Sequence, residues 1–122
     1  MAASLTDAAY FAGLYEGEGS ISVNNKVRGT SVQLQLVIDS TDREVLEALR
    51  VRIGLGRVYG PYQHKPNPQR MARKPMYRFV INRKGELVEA IEMMWPWLGS
   101  RRRAQLTRAV EQHPYLSVAC CE

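Results

Sequence analysis

The sequence predicts an α+β fold: a four-stranded antiparallel sheet with helices packed on one face, in the order αββαββαα. Three observations predict it. The apolar period switches from helical spacing to two immediately after Gly19. Two pairs of short alternating segments follow, and each pair leads into a helix-periodic stretch. The last third is helical and is divided by Pro96. A chain of 122 residues fits one domain with one modest core, so residues 1–122 are read as a single unit, with 115–122 as a tail.

The first helix is expected from Ser4 to about Tyr15, capped by Ser4 with Asp7 or by Thr6 alone. Leu5, Tyr10, Phe11 and Leu14 can supply its core stripe. Ala9, Gly13 and Gly17 form a second stripe of small residues, whose spacing lets another helix backbone come close. In "SISVNNK" and "SVQLQLVI" Ile21, Val23, Val32, Leu34, Leu36 and Ile38 alternate with polar residues, and "NKVRGT" with Gly29 suits a hairpin turn. The polar face of these strands is serine, asparagine and glutamine, followed by Lys26 and Arg28. Such a row can read base edges in a groove, and it also suits an ordinary wet sheet face.

"STDREVLEALRVRIGLG" reads as a second helix with a Thr41/Glu44 capping box, an apolar face of Val45, Leu46, Leu49 and Ile53, and Gly54 as its stop. "RVYG" is a short strand. The basic, proline-rich stretch "PYQHKPNPQRMARKP", with Lys65, Arg70, Arg73 and Lys74, joins it to the strand "MYRFVIN". There Tyr77, Phe79 and Ile81 face the core while Met76, Arg78 and Val80 face away. Asn82 is placed to cap a third helix, "GELVEAIEMMW", and Ser100 begins a fourth, "RRRAQLTRAVEQH", stopped by Pro114.

A net charge of +5 and a pI near 9.5 point to a polyanionic partner, nucleic acid ahead of membrane. No apolar stretch is long enough to span a bilayer, and "MAASLTDAAY" has neither the basic nor the apolar part of a secretory signal. Cys120 and Cys121 are the two cysteines, adjacent at the end of the chain; they suit neither a disulfide framework nor a metal knuckle. A soluble, intracellular protein is the expectation.

Two local rules are broken. Glu16 and Glu18 stand at a helix C-terminus, where acids oppose the macrodipole, and Arg101 to Arg103 stand at a helix N-terminus, where bases do. A carboxylate leaving a helix end beside freed backbone carbonyls is an oxygen-rich half-site for Mg²⁺, but one chain supplies too few ligands. Two copies joined through Ala9, Gly13 and Gly17 would bring two such acids together. Paired acids and divalent metals beside a basic, polar sheet suit phosphodiester hydrolysis.

The stretch "FAGLYEGEGSISV" resembles the motif of the LAGLIDADG homing endonucleases, with Ala12, Gly13, Leu14 and Gly19 identical to it. The likeness continues through "STDREVLEAL", "IGLGRVY", "YRFVI" and "PWLGSRRRAQL". It implies a saddle-shaped sheet and a homodimer that holds its motif helices together at Ala9, Gly13 and Gly17. It also implies a roughly palindromic double-stranded DNA site, cut with short 3′ overhangs. Glu18 matches the metal-binding acid for Mg²⁺, with Mn²⁺ or Ca²⁺ able to substitute in binding, and Glu16 the helix end. Arg101 matches the basic residue near the scissile phosphate, with Arg103 as second choice. The water-positioning Gln or Asn of relatives is absent from Ile38-Asp39-Ser40; Asp39 is the candidate there, alongside a structural capping role. His64 and His113 match no catalytic position.

Strand alternation and the resemblance together assign Ser22, Asn24, Lys26, Arg28, Ser31, Gln33, Gln35, Tyr59 and Arg78 to the DNA face, with Arg103 beside them. The rival reading is an RNA maturase or a DNA-binding regulator on the same fold, without cleavage. An intein role is disfavoured because 122 residues leave no room for splicing blocks.

Overall fold

The first helix, α1 (Leu5–Glu18), starts at a reciprocal cap: Ser4 Oγ accepts from the Asp7 amide at 3.1 Å and Asp7 Oδ2 accepts from the Ser4 amide at 3.4 Å. The computed structural model describes residues 3–25, 32–62 and 74–113. The helix runs one turn past the expected Tyr15 and ends where Gly19 turns extended, its N–H donating to the Tyr15 carbonyl. The buried face is Ala8, Phe11, Ala12 and Tyr15. Leu5, expected in the core stripe, is 78% exposed because it lies in the first turn, beyond the edge of the buried face. Tyr15 is instead among the largest fully buried side chains.

Without any loop, α1 passes into β1 (Gly19–Asn25), which pairs antiparallel with β2 (Val32–Ser40) from Gly19↔Ile38 to Asn25↔Val32. Gly19 makes this junction possible. A Cβ there would run into the Tyr15 ring and stand 2.7 Å from the Tyr15 carbonyl oxygen. The helix α2 (Arg43–Ile53) follows. Its cap is Asp42 rather than the expected Thr41: Ser40 Oγ accepts from the Asp42 amide, which sets Asp42 Oδ1 to accept from the amides of Glu44 at 3.0 Å and Val45 at 3.4 Å. Leu46, Leu49 and Ile53 are its buried face, and Gly54 closes it in the left-handed region at φ 68°.

The strands β3 (Arg57–Tyr62) and β4 (Met76–Ile81) complete one antiparallel sheet in the order β1-β2-β4-β3. The helix α3 (Lys84–Met94) begins at Arg83, not Asn82, and has no side-chain cap bond. A 3₁₀ turn, Trp95–Trp97, follows at Pro96, and α4 (Ser100–Gln112) starts after Gly99 and ends at His113. The core lies between one sheet face and α1, α2 and α3, with Phe11 and Phe79 meeting edge to face at 6.2 Å.

Gly56 fastens β3 to this core. It sits at φ 81°, its N–H donates to Glu86 Oε1 at 3.0 Å, and a Cβ would stand 2.6 Å from the Phe79 ring. We expect Gly56→Ala to cost about 2 kcal/mol or more, since strain and overpacking act together. Denaturant unfolding measures this, and an unchanged midpoint would contradict the packing described.

Candidate functional site

Each helix end leaves backbone groups unpaired, and at one corner of the molecule two ends satisfy each other. Glu16 Oε2 accepts from the Gly99 amide at 3.0 Å, supplying the cap that the N-terminus of α4 lacks in its own sequence. In return Arg102 Nη2 donates to the Glu16 carbonyl at 3.1 Å, at the C-terminus of α1. The Arg102 guanidinium also lies 5.2 Å from the Tyr15 ring centroid and donates through Nη1 to Gln105 at 3.1 Å. The acid at the end of one helix and the arginine at the start of the other thus compensate each other's unfavourable dipole.

This arrangement sorts the charges. Arg102 is buried; Arg103 turns inward, donating to the Trp95 carbonyl at 3.1 Å with its guanidinium 5.3 Å from that ring. Glu18 and Arg101 remain, both exposed, and neither makes a hydrogen bond or ion pair among the described residues. Glu18 is the last residue of α1 and precedes the first ladder residue of β1. Carboxylate and backbone carbonyl are hard oxygen donors that suit a divalent cation of the Mg²⁺ type. No group of three or more His, Cys, Asp or Glu that could hold a metal exists among the described residues.

The sheet face turned away from the helices carries the other expected residues. Direct ladder partners share a face, which aligns Tyr59, Arg78 and Asp39 in one row across β3, β4 and β2. The next positions on β2 are Val37, opposite Val80, then Gln35, opposite Ser22, and Gln33, opposite Asn24. Val37 and Val80 are buried and separate the charged row from the amide row. Ser22, Tyr59 and Arg78 are exposed and Gln35 is half-buried. Asp39 does not act as a helix cap: its two oxygens accept from Arg78 Nε at 2.8 Å and Nη2 at 3.3 Å. Arg57 and Tyr62 also stand exposed on these strands. Arg57, two residues before Tyr59, was findable from the same alternation. Lys26, Arg28, Ser31, the basic stretch over 63–73 and the tail lie outside the described residues.

On α1, Gly13 and Gly17 are exposed and Ala9 half-buried. A Cβ added at Gly13 or at Gly17 would meet nothing within 4 Å. Nothing among the described residues therefore calls for glycine at either position. No helix among the described residues is long and apolar enough to cross a membrane.

A family profile described as a LAGLIDADG-like domain matches residues 6–93, and the chain belongs to that family. Among solved structures, an archaeal intron-encoded homing endonuclease, I-Vdi141I, complexed with DNA, is similar at TM-score 0.62 and 26% identity, over 88% of this chain and 67% of that one. I-CvuI, a homing endonuclease in complex with its target in the presence of Ca, gives 0.61 at 17% identity, over 91% and 71%. The LAGLIDADG meganuclease I-CpaMI, bound to uncleaved DNA, gives 0.60 at 17%, over 86% of this chain but 34% of its own. The last two likenesses establish the fold. No curated protein matches the sequence.

Burial pushes the Tyr15 hydroxyl up to about 12, with Arg102 opposing and Glu16 reinforcing the shift. That hydroxyl has no hydrogen-bond partner among the described residues. Below pH 10 it is neutral in both folded and unfolded chains. Between pH 10 and about 12 the unfolded chain ionises while the folded one does not, so stability falls as pH rises. We expect Tyr15→Phe to lack this loss, which amounts to about 2–3 kcal/mol when complete. Unfolding curves of both proteins from pH 8 to 11.5 should diverge in favour of the variant above pH 10; parallel curves would refute the assignment.

Proposed function

We propose that the protein is a site-specific DNA endonuclease acting as a homodimer. It makes metal-dependent double-strand breaks with short 3′ overhangs at a long, roughly palindromic site. The observation that carries this reading is the end of α1: in a chain of this family, Glu18 is exposed there and unpaired among the described residues, on a helix whose outward stripe is Ala9, Gly13 and Gly17. The solved relatives bound to DNA support the choice of substrate.

In this reading the two copies cross at the small-residue stripe, which brings Glu18 of each toward the shared axis. Symmetric protein then faces symmetric DNA. Glu18 would hold Mg²⁺, with Mn²⁺ or Ca²⁺ able to support binding, and the ion would supply charge neutralisation at the scissile phosphate and activation of water there. Arg101, without a side-chain partner among the described residues, neutralises the phosphate from the protein side. Arg103, held against Trp95 through Nε, supports the α4 end and remains the second choice for the phosphate. Ser22, Gln35, Tyr59 and Arg78 face the groove, and Asn24, Lys26, Arg28, Ser31 and Gln33 are assigned to DNA contact by their sequence positions and the family resemblance. The setting for this activity is intracellular.

The test is selection of cleaved sites from a randomised duplex library with Mg²⁺, repeated with Glu18→Gln. We expect one enriched palindrome-like site, cutting reduced by at least about 100-fold in the variant, and binding retained. Tight specific binding by the unmutated protein with no cutting would leave the regulator reading in place of the enzyme.

The dimer has its own test. Gly13→Leu should leave the monomer folded, because space is open at that Cβ and leucine favours helix by up to about 1 kcal/mol. Sedimentation should then show a dimer for the parent and a monomer for the variant; a monomeric parent, with or without DNA, would remove the model.

A further inference from the structure

We infer that Asp39 is a positioning residue for base recognition: it holds Arg78 so that the remaining edge of the guanidinium reads a guanine. This deepens the DNA-binding reading above and rests on it.

The geometry is specific about which donors are used. Asp39 takes Arg78 Nε through Oδ1 at 2.8 Å and Nη2 through Oδ2 at 3.3 Å, the side-on fork of the guanidinium. An arginine has five N–H donors, and this pairing uses two of them. The end-on fork, one N–H from each terminal nitrogen, stays free to donate in parallel. That fork matches guanine O6 and N7 in the major groove. Arg78 has no other hydrogen bond among the described residues.

The surroundings leave the fork accessible. Both side chains are partly exposed, at 45% for Arg78 and 37% for Asp39. Together with Tyr62 and Met76 they line a hollow of about 290 Å³ on the open sheet face, and the Tyr62 ring centroid lies 6.0 Å from the Arg78 guanidinium. Ladder pairing places Asp39 and Arg78 directly opposite each other on the two central strands, where the backbone is held on both sides. An exposed ion pair contributes little to stability. What it does do is remove rotamer freedom from a long side chain, so that less is lost when a base is bound. The same geometry occupies both Asp39 oxygens with Arg78, so the carboxylate acts here through the guanidinium.

The experiment is binding-site selection from a randomised duplex library with Ca²⁺, followed by sequencing, for the parent, Arg78→Ala, Asp39→Ala and the double variant. The parent should prefer guanine at one position of each half-site, by about 5- to 100-fold. Both single variants should lose that preference at the same position, keep it elsewhere, and the double variant should lose no more. Asp39→Asn, which keeps the size and one acceptor, should lose it in part; it also serves if the alanine variant folds poorly. An Asp39→Ala or Asp39→Asn profile identical to the parent's overturns the inference, as does a change at a position other than the one Arg78→Ala affects. If the parent enriches no sequence at all, the DNA reading fails and this inference falls with it. If the parent enriches a site that Arg78→Ala leaves unchanged, the inference alone fails.

Discussion

The structure depends most on the reciprocal contact between the end of α1 and the start of α4. Glu16 caps Gly99 and Arg102 caps Glu16, so two helix termini 83 and 86 residues apart in sequence are closed with each other's groups. Neither end is well built alone. α4 has no side-chain cap of its own and three arginines at its positive pole; α1 has two acids at its negative pole. Joined, each end supplies the charge the other lacks. The join also fixes the direction in which α1 delivers Glu18, and through Gly19 the direction in which β1 leaves for the sheet. Tyr15 is buried under Arg102 at this corner and holds Gly19 to a residue without a side chain. The corner therefore sets the geometry between the candidate metal ligand and the open sheet face.

A sheet face that binds a polyanion has to present donors without collapsing onto itself. Here the charged row is pinned by one ion pair and separated from the amide row by the buried pair Val37 and Val80. Cross-strand β-branched pairs stabilise a ladder where no helix covers it. The apolar pair thus stands between the two polar rows at the centre of the open face. The charged row lies nearest the Glu18 end of the sheet, since Asp39 follows Ile38, the partner of Gly19.

Much of the fold was legible because it is local. Alternation located all four strands, helical periodicity located the helices, and Gly54 and Pro96 marked stops that the structure retains. The errors came from competition between neighbours. Thr41 and Asp42 can both cap α2, and the choice went to Asp42 because Ser40 turns the chain there. Leu5 has the right spacing for a core stripe, but the helix starts beyond the core's edge. The site was legible in part for the same reason. Glu18 stood out as a residue that breaks a local rule. Which of Glu16 and Glu18 stays free, and which of three arginines, is decided by contacts across the chain that no spacing encodes.

The three glycines of "FAGLYEGEG" divide along the same line. Gly19 is explained inside the chain, since any side chain there would strike the Tyr15 ring. Gly13 and Gly17 are not: both are exposed, both cost helix stability, and a Cβ at either meets open space. A residue that destabilises its own helix and spares no neighbour within the fold makes sense when the neighbour belongs to another molecule. In the proposed homodimer a second helix would cross at these two positions, and the same crossing would bring a second Glu18 carboxylate toward a shared divalent ion. The glycine stripe and the solitary acid are then one requirement met on adjacent turns of one helix.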